Sequence, residues 1–146
     1  MKLSRKIIND LYKIRKSIES IADDWAIDKV DLSGACALSA TLTWRYFNTL
    51  GWNPKFLYGY HKYCFGQCHC IILLGDYFLD LTATQFDFNY DEILYDLFDN
   101  IDDYVMGKYN YKIYKSPSHL NYCWKKEWKS QHPYKLINRY KEQLVW

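Results

Sequence analysis

Three side chains in this chain have types and spacing that could do chemistry: Cys36, His69 and Asp80. Cys36 lies in Asp31-Leu32-Ser33-Gly34-Ala35-Cys36-Ala37-Leu38-Ser39, where a helix is expected to begin near Gly34 to Cys36. A thiol in the first helical turn feels the positive end of the macrodipole and unpaired backbone N–H groups. Both favour the thiolate, which is the nucleophilic form. A cysteine among small residues is, taken alone, more often a packing residue. His69 and Asp80 sharpen the reading. Gly75-Asp76 is a two-residue hairpin signal that pairs Leu74 with Tyr77, Leu73 with Phe78 and Ile72 with Leu79. Continuing that register sets Ile71 opposite Asp80. Alternation along the strand then puts His69 on the same face, a diagonal neighbour roughly 7 Å away at the backbone. An aspartate in the apolar strand Tyr77-Phe78-Leu79-Asp80-Leu81 is costly to bury without a partner, and His69 is the partner the register offers.

A cysteine at a helix start, a histidine opening a strand and an aspartate on the next strand is the order a thiol triad needs. The imidazole takes the thiol proton, and the carboxylate fixes its tautomer and orientation. Ser33-Gly34-Ala35-Cys36-Ala37-Leu38-Ser39, with the run from His69-Cys70-Ile71-Ile72-Leu73-Leu74 through Asp80-Leu81-Thr82-Ala83-Thr84-Gln85-Phe86, resembles the papain-like fold in its small transglutaminase-like branch. The resemblance covers residues 31 to 86 and includes small bacterial and phage members. It implies an α+β fold in which a Cys-bearing helix packs on a central antiparallel sheet. It assigns Cys36 as nucleophile, His69 as general base and acid, and Asp80 as orienting carboxylate, with no cofactor. Papain-like proteases carry a Gln shortly before the Cys for the oxyanion hole, but residues 23 to 35 hold no Gln or Asn. The Cys36 backbone N–H is the substitute, with Trp25 or Gln85 as candidate support.

A metal site competes for the same region. Cys64, Cys68, His69 and Cys70, with His61 nearby, are soft ligands within ten residues. No paired Cys-x-x-Cys knuckle is present, and a strand would send Cys68 and Cys70 to one face and His69 to the other. No metal is therefore assigned. His61, His119 and His132 lie in loop-like surroundings and read as surface residues, and Cys123 between Tyr122 and Trp124 reads as core or as a bystander.

The elements that must position the triad follow from periodicity. Leu3, Ile7, Leu11, Ile14, Ile18, Ile21 and Trp25 recur at intervals of three and four, predicting an amphipathic helix with Lys and Arg on its other face. A second helix runs from the Gly34–Cys36 region, capped by Ser33 or Asp31, to Gly51, before Asn53-Pro54. Strands are expected at Lys55–Tyr60, His69–Leu74 and Tyr77–Leu81, then a helix over Asp91–Asp103 capped by Asn89, a strand at Tyr109–Tyr114 and a helical C-terminal part. Strands grouped between helices define an α+β class.

Composition bounds the functions. A chain of 146 residues fits one domain. Within it, residues 1–30 form the N-terminal helix and 31–86 the helix and hairpin of the triad. Residues 87–146 form an acidic helix, a strand and a basic helical part. A net charge of +2 argues against a nucleic-acid binder, and no run of eighteen apolar residues offers a transmembrane helix. The charged start Met1-Lys2-Leu3-Ser4-Arg5-Lys6 is followed by no continuous apolar stretch and does not read as a secretory signal. An odd count of five cysteines suits free thiols in a reducing cytoplasm better than a disulfide framework. Gly75–Gly107 holds nine acidic residues and no Lys or Arg, whereas Lys108–Glu142 holds nine basic against two acidic, net +7. A contact between the two segments explains this, as does a basic face for an acidic partner. The expected function is a cysteine-dependent hydrolase or acyltransferase acting on a protein, peptide or small amide. The alternative is a binding protein on the same scaffold that uses its basic, aromatic C-terminal face, with Lys125, Lys126 and Lys129 as contacts.

Overall fold

The computed structural model describes residues 2–22, 35–64, 67–119 and 133–146. Trp25, Ser33, Asp31, Cys123, His132 and the three lysines at 125, 126 and 129 lie outside these residues. Residues 120–132 of the basic segment lie outside them too.

Helix α1 (Arg5–Ile21) starts at Ser4, whose hydroxyl accepts from Ile7 N at 3.2 Å. Its stripe of Leu11, Ile14, Ile18 and Ile21 is fully buried, as the 3.6 period requires. Its charged residues do not all face water, however, because Arg15 is 2% exposed. Helix α2 (Cys36–Thr49) departs from expectation at its start: the N-cap is Ala35, which has no side-chain oxygen, rather than Ser33 or Asp31. Gly51, at φ +76°, follows its end in the left-handed conformation that glycine tolerates.

Strands β1 (Lys55–His61), β2 (Cys68–Leu74), β3 (Tyr77–Asp80), β4 (Leu94–Leu97) and β5 (Tyr109–Tyr114) form one antiparallel sheet in the order β4-β3-β2-β1-β5. The hairpin has the expected register: Leu74 opposite Tyr77, Leu73 opposite Phe78 and Ile72 opposite Leu79. Positive φ at Gly75 alone in its loop is the pattern of a type II′ turn. Phe56, Tyr58, Cys70, Ile72, Leu74 and Leu79 point to one face, where they pack with α1, α2 and α3 (Pro133–Arg139). Leu57, Ile71, Leu73 and Phe78 point to the other, under Ile101, Tyr104 and Met106. The fold is therefore α+β, with a core on each side of the sheet.

The helix expected over Asp91–Asp103 is not formed. Leu94–Leu97 is strand β4, and Phe98–Asp103 and Val105–Lys108 are 3₁₀ turns. Asn89 does not cap a helix; its N–H bonds the Asp87 carboxylate at 2.9 Å in a turn. Two forces override the helical spacing of Ile93, Leu94, Leu97 and Phe98. The edge of β3 takes a partner strand, and a 3₁₀ period of three still brings Phe98 and Ile101 onto the core. No described helix is long and apolar enough to cross a membrane.

Candidate active site

Three elements bring the site together. Cys36 is the first residue of α2, with no capping side chain competing for the first-turn N–H groups. His69 lies near the start of β2, and Asp80 ends β3. All three are buried, at 9%, 0% and 2% exposure. A short β3 leaves the start of β2 beyond Ile72 outside the β2–β3 register, and His69 occupies that stretch.

His69 Nε2 and Asp80 Oδ2 are 2.6 Å apart, as the hairpin register required. The carboxylate is held on every side. Tyr104 Oη donates to Oδ2 at 2.5 Å. Thr82 donates to Oδ1 twice, from its backbone N–H at 2.7 Å and its hydroxyl at 3.0 Å. Gln85 Nε2 in turn donates to Thr82 Oγ1 at 3.0 Å. Gln85, a candidate for the oxyanion hole, thus has its amide engaged in bracing the Asp80 bracket. His69 is further walled by Phe86, edge-on at 4.8 Å between ring centroids, and by Tyr109 at 6.3 Å.

With Nε2 committed to Asp80, Nδ1 is the ring nitrogen left for the thiol. It has no hydrogen-bond partner among the described residues, although Cys36 lies near enough to act on its protonation. Thiol–imidazole bonds are often long in unliganded sites and tighten with substrate.

The charges favour an ion pair. Burial alone would drive His69 toward the neutral imidazole. The Asp80 carboxylate, by charge and hydrogen bond, and Cys36 together outweigh burial, and His69 keeps its proton up to about 10. The Cys36 thiol is held well below its ordinary value, first by the neighbouring Cys70 S–H and, against burial, by His69. Burial and then Cys36 push Cys70 well above its ordinary value, so Cys70 stays a thiol. Burial would raise Asp80, but His69, Tyr104 and Thr82 together hold its carboxyl below the usual range. The arrangement can present a thiolate beside a proton donor oriented by a carboxylate.

The other soft ligands do not converge. His61 ends β1 and its Nδ1 accepts from the backbone N–H groups of Tyr63 and Cys64 at 3.0 and 2.9 Å. Cys64 is exposed, and among the described residues Cys36, Cys64, Cys68 and Cys70 form no disulfide. Among the described residues no group of three or more His, Cys, Asp or Glu side chains is placed to hold a metal ion.

Tyr104, Thr82 and Arg15 escaped the sequence reading. Thr82 had a local signal, because a Thr two residues after a buried Asp can cap it in an Asx-type turn. Tyr104 had none, since it approaches Asp80 from 24 residues away through the 3₁₀ turns. The chain matches no family model, no curated protein and no solved structure.

Proposed function

We propose that the protein is a cysteine-dependent hydrolase or acyltransferase of the papain-like, transglutaminase-like type, acting on an amide or thioester carbonyl. The observation that carries this reading is a buried histidine bound to an aspartate at 2.6 Å through Nε2, with Nδ1 left open and a helix-start cysteine near enough to act on its protonation.

In this reading the Cys36 thiolate attacks the carbonyl carbon. The oxyanion forms near the α2 N-terminus, where the Cys36 N–H and the helix dipole supply positive potential. The tetrahedral intermediate collapses as His69 gives its proton to the leaving amine or thiol, and the acyl group stays on Cys36 Sγ. Water or an acceptor amine then attacks the thioester carbonyl, the C–Sγ bond breaks, and Cys36 leaves as the thiolate. His69, now neutral, takes the incoming proton, and Asp80 stabilises the imidazolium that results. No cofactor takes part in these steps.

The test is the pH dependence of alkylation at each cysteine of the native protein, read by peptide mass mapping, with His69→Ala as control. Cys36 should react fastest well below pH 8.5, the ordinary thiol value of about 8.5 being the reference, and His69→Ala should abolish that advantage. A Cys36 no faster than exposed Cys64 would sink the reading. A folded Cys36→Ala variant that retains full turnover of an identified amide substrate would sink it as well.

A further inference from the structure

We propose that Arg15 is a positioning residue for this site: through the backbone and hydroxyl of the 81–84 turn, helix α1 sets where Asp80, and so His69, stands. The inference rests on the thiol reading above.

Arg15 is among the most deeply buried side chains, at 2% exposure, although it sits on a helix with Lys6, Lys13 and Lys16. A buried guanidinium carries a large desolvation penalty unless its donors are matched. An apolar residue of similar size would occupy the same buried place without that penalty. What the guanidinium supplies is reach and a planar fork. Nη1 donates to the Leu81 carbonyl at 2.5 Å and toward the Glu92 carbonyl at 3.5 Å. Nη2 donates to Thr84 Oγ1 at 3.1 Å. Nε makes no hydrogen bond among the described residues, but it lies 3.3 Å from Glu19 and 3.5 Å from Glu92, and these two carboxylates balance the guanidinium charge.

The placement of those acceptors matters. Leu81 and Thr84 flank Thr82, and Thr82 is the residue that grips Asp80 Oδ1 twice. Gln85 braces the same hydroxyl from the other end of the turn. The turn is therefore pinned from α1 on both sides of the residue that holds the carboxylate. Tyr104 fixes the other oxygen. Without Arg15 the bracket loses its anchors on α1, and a tilt of the turn carries Asp80 with it. Orienting contacts of this kind decide whether a site meets its geometry.

The experiment compares Arg15→Met, Thr84→Val and Ile18→Ala with the parent protein. Ile18→Ala truncates a buried side chain of the same helix that donates nothing to the bracket. Two readouts are taken: Cys36 alkylation by iodoacetamide against pH, and the proton NMR signal of His69 Nε2–H. Arg15→Met should raise the Cys36 inflection by about one pH unit, which is about tenfold slower alkylation below it. It should also move the Nε2–H signal upfield as the bond to Asp80 weakens. Thr84→Val, which removes one anchor, should move both in the same direction by less. It keeps the test open if Arg15→Met does not fold. Ile18→Ala should lower stability and move neither. The proposal is overturned if the arginine and threonine variants keep parental values, or if Ile18→Ala moves both readouts as far. If His69→Ala leaves Cys36 alkylation unchanged, the thiol reading fails on its own. The Nε2–H signal of Arg15→Met still decides whether Arg15 positions Asp80.

Discussion

At the scale of single residues, Asp80 accepts more hydrogen bonds than any other group in the site, and each donor has a separate consequence. Tyr104→Phe removes one donor from a buried carboxylate while leaving the ring to stack on Phe78, now 5.5 Å away between centroids. A hydrogen bond to a charged group is worth about 1.5–3 kcal/mol, so urea unfolding should detect a loss of that size. A loss under about 0.5 kcal/mol would mean that the hydroxyl does not serve the carboxylate. Asp80→Asn acts on charge instead. The imidazolium loses the carboxylate that chiefly holds its proton against burial, so His69 reverts toward neutral. Cys36 then loses a cationic neighbour and titrates higher. Alkylation of Cys36 near pH 6 should slow relative to the parent, whereas alkylation above pH 9 should not. An unchanged rate near pH 6 would leave Asp80 with no electrostatic role toward the thiol.

At the scale of elements, each part of the site stands or falls with one local feature. Gly107 is such a feature. A Cβ there would meet the Asp102 carbonyl oxygen at 2.5 Å and its Cα at 3.0 Å. Those are backbone atoms of the preceding 3₁₀ turn, and Tyr104 lies between the two turns. Gly107→Ala should therefore force the turns apart, lower the melting temperature and displace the Tyr104 hydroxyl from Asp80. Combining it with Tyr104→Phe should give less than the sum of the two losses, because both remove the same bond. Full additivity in a double-mutant cycle would overturn that link. What the sequence made legible at this scale follows the same logic of local cause. The β2–β3 hairpin was readable because Gly75-Asp76 fixes its register, and the register alone carried His69 to Asp80. α1, α2 and β5 were readable from their periods. β4 was not, since Leu94 and Leu97 fit a helix equally well and only the open edge of β3 decides. Arg15 was not, because the backbone and hydroxyl oxygens it bonds lie 66 residues or more away and its i+4 pair with Glu19 looks like an ordinary surface ion pair. Long-range pairings of this kind leave no short-range trace.

At the scale of the whole molecule, the thiolate–imidazolium pair makes a statement about global stability that needs no substrate. Stability rises with pH where the unfolded chain binds more protons than the native one, and falls where it binds fewer. His69 keeps its proton in the native state up to about 10, whereas an unfolded histidine loses it near about 6.5. Its contribution is complete below that lower value and is lost as pH rises toward 10. Cys36 has the opposite sign. Its native value is depressed, so its contribution is complete above the ordinary thiol value of about 8.5 and is lost as pH falls. Between about 6.5 and 8.5 the native pair holds one proton on His69 and the unfolded pair holds one on Cys36. The proton counts match, and the two slopes cancel. The parent protein should therefore show nearly constant unfolding free energy across that window, followed by a decline toward pH 10 as the His69 contribution is lost and Cys70, held above its ordinary value, adds to the fall. Cys36→Ala removes the compensating partner and leaves the carboxylate that is the main support of the His69 proton. Its stability should fall from about pH 6.5 upward, with a slope approaching about 1.4 kcal/mol per pH unit. Urea unfolding of both proteins at half-unit steps from pH 6 to pH 9 reads the two curves. Parallel curves would mean that Cys36 is protonated in the native state at neutral pH, and the thiol would then need its base only when substrate arrives.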